Sequence, residues 1–205
     1  EMAGTAFEQP YLAARGIVAS GGIGRVVQVL AQKSYPMHDR RPRDEAVDAG
    51  LLMQVGIHAV RMIEHVGQVR VSEDADAIQA MQMRWPGSGD LRGASTIQFK
   101  LDRGGLATVI ANYLNPPSFG MWGNEMLRIF GTDGFVEITD GGAKTRWITH
   151  SGDRGPIEAI GPGLKYHDLI FDSILDGKPM PLTLDQELHP TRVVIRARKI
   201  GRAHV

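Results

Sequence analysis

The chain has 205 residues, with 23 lysines and arginines set against 23 aspartates and glutamates, and no cysteine. Its balanced charge supplies no global field to recruit nucleic acid or an anionic membrane, so any charged partner has to be met locally. The lack of cysteine excludes disulfides and thiolate metal ligands and accords with a cytoplasmic location, while no apolar run approaches a membrane span and the opening EMAGTAFEQP lacks the basic and apolar regions of a secretory signal.

Residues 10–20, PYLAARGIVAS, carry apolar side chains at helical spacing, with Pro10 suited to a first turn and Gly21 and Gly22 to a C-terminal stop. Residues 24–35, GRVVQVLAQKSY, alternate and are rich in valine, which predicts a strand. A polar loop, HDRRPRD, spans 38–44. Residues 51–67, LLMQVGIHAVRMIEHVG, read as a largely buried helix on which Gln54, His58, Arg61 and His65 form a polar stripe about 60° wide at roughly 100° of rotation per residue. Such a stripe either faces water or lines a cavity. Gln54 and His58, spaced i, i+4, are placed to meet on one face.

Beyond this helix, strands are predicted at 69–72, 77–85, 95–101 and 106–113, with DRGG between Leu101 and Leu106 marking a hairpin. Further strands at 124–130, 135–139 and 144–149 are separated by GTDG and DGGA. KYHDLIFDSILDG ends in a glycine stop, and residues 185–200 open acidic and close basic, so both read as helices. No repeat, linker or low-complexity tract divides the chain. Residues 1–205 are therefore expected to form a single α+β domain, a large and mostly antiparallel sheet with helices packed on one face. The uncovered face predicts a homo-oligomer, with two-fold pairing the simplest symmetry.

The glycine-rich GGIGRV at 21–26 leaves a helix and enters a strand. A dinucleotide-binding glycine loop runs in the opposite order and holds pyrophosphate at a helix N-terminus, so this segment reads as a turn. Walker A, HExxH and GxSxG motifs are absent, and His58 with His65 does not have a zinc spacing, so neither a metal nor hydrolase chemistry is expected. The loop at 38–44 can place a guanidinium over an anionic or polyhydroxyl ligand at the stripe. Among Arg40, Arg41 and Arg43, the candidate for substrate contact is Arg43. Trp122 and Asn124, in SFGMWGNEM, are candidates for lining a pocket.

Taken in order, the helix, the SGGIGRV turn, the long strand, the loop and the AGLLMQVGIHAVRMIEHVG helix ahead of a sheet resemble the C-terminal domain of the Gfo/Idh/MocA oxidoreductases. GNEMLRIFGTDGFVEI resembles that family's strand, turn and strand, and HDLIFDSILDGKPMPLTLDQELHPTRVVIRARKIGRAHV its closing helices. The resemblance implies an N-terminal Rossmann domain that binds NAD or NADP. That domain and its Glu-Lys-Pro motif are absent from this chain, so the fragment alone is expected to be inactive and to bind no cofactor. It further implies that this domain supplies substrate contacts and, through its open sheet face, oligomer contacts.

The family's helix carries Asp-x-x-x-His, whose histidine helps to move a substrate hydroxyl proton. His58 matches the histidine, and Gln54 stands where the aspartate is expected. An amide cannot accept that proton, but it can orient His58 or bind a hydroxyl. Arg61 stands where a second aspartate is common and joins the candidates for substrate contact. The expected function is thus substrate binding and oligomerisation within an NAD(P)-dependent oxidoreductase of a sugar, cyclitol or related diol, with His58 and Gln54 as catalytic residues. The alternatives are a non-catalytic oligomerisation domain with a solvated stripe, or a non-redox member of the same family.

Overall fold

A computed structural model describes residues 4–159 and 161–202. The first helix, α1 (Gln9–Ala19), has Pro10 in its first turn, and the Ser20 and Gly22 amides close its end by donating to the Gly16 and Ile17 carbonyls. Gly21 then takes a φ of 78°, a conformation that costs a glycine nothing, and turns the chain into β1 (Val26–Ser34). The short helix α2 (Glu45–Asp48) follows, its first turn capped by the Asp44 carboxylate, which accepts from the Ala46 amide at 2.8 Å. A single π turn (Leu52–Gly56) leads into α3 (Ile57–Gly67).

Seven more strands come next: β2 (Ile78–Met83), β3 (Ala94–Lys100), β4 (Leu106–Asn112), β5 (Asn124–Gly131), β6 (Gly134–Thr139), β7 (Lys144–Thr149) and β8 (Gly152–Asp153). Helices α4 (Tyr166–Asp176) and α5 (Leu184–Arg202) close the described chain. Thr183 and Gln186 start α5 with a reciprocal capping box, each side chain accepting from the other's backbone amide.

The strands form one sheet in the order β2-β3-β4-β1-β5-β6-β7-β8. Every neighbouring pair is antiparallel except β1 and β4, which run parallel in register Gln28 to Ser34 against Leu106 to Asn112. The parallel pair is possible because the chain between them passes through α2, α3 and the β2–β3 hairpin, a crossover long enough to reverse direction.

Alternation along the strands decides which residues are inside. Val29 and Ala31 of β1, Val109 of β4, and Leu127 and Ile129 of β5 are fully or almost fully buried, together with Val60 and Ile63 of α3 and Val193 and Ala197 of α5. Their neighbours one position along face the other side of the pleat. There Arg128 pairs with Glu137, and Phe130 packs on Phe135 with ring centroids 5.8 Å apart.

Three expectations need correction. The strand expected at 69–72 is a single bridge from Val71 to Leu101, too brief for a ladder. The helical run Glu45–Gly67 is long and apolar enough, by length and composition, to cross a membrane, and most of it is buried inside this fold. The stripe helix is also not uniform. Its π turn bonds i to i+5 and underwinds the backbone, so the spacing of 100° per residue fails just where Gln54 was to meet His58.

Candidate active site

The end of β1 brings chemistry into the core. Lys33 lies on the helix-facing side of the strand at 3% exposure, opposite Glu125 of β5 at 7%. A buried ammonium of this kind is tolerated only when paired. Lys33 Nζ donates to the Glu125 carboxylate and to Thr5 Oγ1, the latter at 2.9 Å. The same ammonium lies 5.2 Å from the centroid of the Tyr35 ring. Burial, and after it the Glu125 and Glu8 carboxylates, hold the phenol of nearby Tyr11 far above its ordinary range.

Tyr35 continues the alternation of Lys33, and its backbone is fixed by two bonds: its amide donates to Asn112 O at 3.0 Å and its carbonyl accepts from Asn115 N at 3.2 Å. Its hydroxyl lies 3.2 Å from His58 Nε2 on α3. His58 is 7% exposed, so the stripe is not a water-facing surface at this position. On its other side Tyr35 meets Trp122 at 5.8 Å between ring centroids, and Trp122 meets His38 at 5.4 Å. Trp122 is 55% exposed, and its loop is held by Asn115, whose amide donates to the Met121 and Trp122 carbonyls at 2.9 Å each. An open aromatic face thus leads through Tyr35 to a buried imidazole.

Gln54 belongs to a neighbouring network. Its Oε1 accepts from Arg41 Nη1 at 2.8 Å, and its Nε2 donates to the Asp48 carbonyl. Arg41 also donates to Asp48 Oδ2 at 2.9 Å and lies 4.0 Å above the Tyr113 ring. Asp48 Oδ1 accepts from the Tyr113 hydroxyl at 3.1 Å and from the Gly50 amide at 3.2 Å. The loop arginine that reaches the stripe is therefore Arg41. Arg43 is half-buried and serves the adjacent loop, its carbonyl accepting from Asp90 N at 2.8 Å and its Cβ lying where a Cβ on Gly89 would fall, 2.6 Å away.

Two further candidates are placed elsewhere. Arg61 is 3% exposed, and its guanidinium turns to α5, donating to Gln186 O at 2.8 Å and Glu187 O at 2.9 Å and pairing with the Glu187 carboxylate at 3.2 Å. Gln186 O is the carbonyl that residue 190 would satisfy in a regular helix, and residue 190 is Pro190, which has no N–H. Arg61 fills that vacancy and is a structural tie. Asn124 pairs with Ser34 across β1 and β5, one position off the Lys33–Glu125 register. Because strand side chains alternate, it faces the open side of the sheet, away from His58.

His65, last of the stripe, stacks on Phe7 at 4.4 Å. Burial lowers its pKa from 6.5 to about 4, with Arg15 and Arg61 adding to the effect. The unfolded chain therefore gains a proton as pH falls below about 6.5, whereas the folded chain resists until about 4. Stability is expected to fall with pH across that window, and denaturant unfolding of His65→Leu should show a shallower slope. Equal slopes for both proteins would contradict the assignment.

Lys33, Tyr35, His38, Asp48 and Glu125 were not among the sequence candidates, and Arg41 was weighed with its loop neighbours but not chosen. One signal was available, a lysine at an inward register of a valine-rich strand, with Tyr35 two residues on. Among the described residues no group of three or more His, Asp or Glu side chains is placed to hold a metal ion. The glycine turn does not suit a dinucleotide phosphate, because the amides of Gly21, Gly22 and Gly24 are bonded to the Val18, Ile17 and Gly21 carbonyls.

Comparison with solved structures gives the same fold at low sequence identity. A candidate oxidoreductase from Thermotoga maritima superposes with a TM-score of 0.88 at 22% identity, covering 100% of this chain and 61% of its own. The aldose-aldose oxidoreductase of Caulobacter crescentus, solved with glycerol, gives 0.80 at 18% identity, covering 98% and 61%. An Agrobacterium radiobacter oxidoreductase, solved with NAD+, L-tartaric acid and magnesium, gives 0.72 at 15% identity, covering 98% and 61%. The chain thus spans about three fifths of the length of these structures. No curated protein matches it in sequence. The family profile described as the GFO/IDH/MocA C-terminal domain matches residues 11–137, and the chain belongs to this family as a C-terminal domain of GFO/IDH/MocA oxidoreductases.

Proposed function

We propose that the chain is the substrate-binding domain of an NAD(P)-dependent oxidoreductase acting on a hydroxyl of a sugar, cyclitol or related diol, and that His58 takes up the hydroxyl proton. The observation that carries this reading is the placement of His58. It occupies the helix position that the family resemblance associates with proton transfer, and it lies buried against Tyr35 beneath an exposed aromatic face. Aromatic rings suit the C–H faces of polyols, and polar groups beside them fix hydroxyls. Glycerol in the Caulobacter crystal and L-tartaric acid with NAD+ in the Agrobacterium crystal, both small polyhydroxylated molecules, support the substrate class.

In this reading NAD or NADP is held by residues outside this chain. That group would supply the hydride acceptor, and this chain's side chains bind the polyol and move its proton. The test is NAD(P)+ reduction by the complete protein over a panel of aldoses, cyclitols and glycerol. Reduction with at least one polyol is expected, together with no saturable micromolar NAD(P) binding by the present chain alone. A protein that binds NAD(P) and oxidises none of the panel would contradict the proposal.

The second part of the proposal is self-association through the open sheet face. Leu106, Met81 and Met83 are 53%, 71% and 58% exposed on that side of the strands, and an antiparallel sheet with helices on one side leaves the other face to be covered. Sedimentation is expected to show a two-fold dimer at micromolar concentration. A monomer at high micromolar concentration would contradict it.

A further inference from the structure

We propose that Tyr35 is the group through which His58 exchanges a proton with a ligand hydroxyl, a catalytic role that rests on the function proposed above. Gln54, expected to orient the imidazole, is committed elsewhere: its carbonyl oxygen accepts from Arg41 and its amide donates to the Asp48 carbonyl. The hydroxyl that meets His58 Nε2 is that of Tyr35, at 3.2 Å.

The order of the rings gives the direction of transfer. Trp122 is exposed and His38 half-buried, Tyr35 is half-buried with its ring 5.8 Å from Trp122, and His58 lies behind it at 6.1 Å between centroids with 7% of its surface exposed. A polyol seated on the Trp122 and His38 rings reaches Tyr35 before His58. The Tyr35 ring is also packed beside the Lys33 ammonium, which is held by Thr5 and paired with Glu125. The backbone bonds to Asn112 and Asn115 hold the residue in place, and Asn115 anchors the Trp122 loop as well.

The proton balance is direct. The ligand O–H bond breaks and its proton joins Tyr35 Oη. The proton already on Oη passes to His58 Nε2, which becomes imidazolium, and Tyr35 ends neutral. The hydride of the same carbon goes to the oxidised nicotinamide of the proposed reaction, leaving a carbonyl. In the reverse direction the same atoms return the proton to a carbonyl oxygen.

Two readouts test this. In the present chain, 15N-labelled at histidine, Tyr35→Phe is expected to shift the His58 ring nitrogens, whereas Gln54→Leu leaves them in place. In the complete enzyme, Tyr35→Phe is expected to lower kcat about 10²-fold. Combining it with His58→Gln should cost little more than the worse single change, because groups in one relay fail as a unit. Unmoved His58 signals in Tyr35→Phe, or full turnover by that variant in an enzyme that oxidises polyols, would overturn the relay. If no polyol is oxidised at all, the proposed reaction fails and the relay's catalytic role with it. A Tyr35-dependent His58 signal would then identify the reaction as what was misread, and not the contact.

Discussion

On the function proposed above, replacing His58 by alanine in the complete protein is expected to lower kcat by about 10² to 10⁴, the range for removal of a positioned acid or base, while the protein still folds. The expectation rests on the imidazole's burial and on its bond to Tyr35. Alanine opens a small void, so His58→Gln is the companion variant that keeps most of the volume. Melting temperature measured beside kcat separates the readings. A catalytic histidine loses turnover in both variants with little change in melting. A packing histidine loses melting temperature, more in alanine than in glutamine, with turnover following stability only. A solvated histidine would change neither, and 7% exposure already argues against it.

The second large effect is on stability. Arg61→Met is expected to cost about 3 kcal/mol, because it removes two charge-assisted hydrogen bonds to α5 carbonyls and leaves Glu187 without its cation. For a domain of this size that is a fall of roughly 6 to 12 °C in melting temperature. The Tyr166 hydroxyl still donates to Glu187 Oε2 at 2.6 Å, which moderates the loss. The cause can be isolated, since Pro190 is what leaves Gln186 O without a backbone donor. Pro190→Ala restores an N–H at that place, so it should stabilise the Arg61→Met background by about 1 kcal/mol more than it stabilises the parent. Simple additivity of the two changes would contradict this account of Arg61.

The fold was largely legible, and for local reasons. Alternation in β1 and in β2 through β6 follows from one buried face, and the glycine stops and acidic first turns mark α1, α4 and α5 within a residue or two of their ends. The parallel pairing of β1 with β4 was hidden, because it depends on a crossover that no short window contains. The candidate site was legible only in part. His58 stood out because a histidine interrupts an apolar run. Gln54 was expected beside His58 because the helical wheel assumes α-helical rotation through a segment that makes a π turn, and its side chain bonds Arg41 and Asp48. The tie of Arg61 to α5 was hidden because the proline it compensates is 129 positions later in the chain. Arg43 was chosen over Arg41 because neighbouring arginines in a loop carry no periodicity, and the Asp48, Tyr113 and Gln54 partners of Arg41 meet only once the sheet has formed. The face that Asn124 takes became legible only with the burial of Glu125 beside it.

The claim at the centre of this account is that a polyol ligand meets the protein at the Trp122 face. The three tryptophans of the chain mark three different places: Trp85 lies against Gly93, Trp147 lines the cavity with Arg154 and Ile157, and Trp122 covers Tyr35. Their indole N–H signals, assigned with single Trp→Phe variants, report each place separately in a titration with a cyclitol or glycerol. The account predicts a saturable shift of the Trp122 indole, carried into the His58 ring signals, with Trp85 and Trp147 unmoved. A shift confined to Trp147, with Trp122 and His58 silent, would contradict it and move the ligand to the cavity that Trp147 lines.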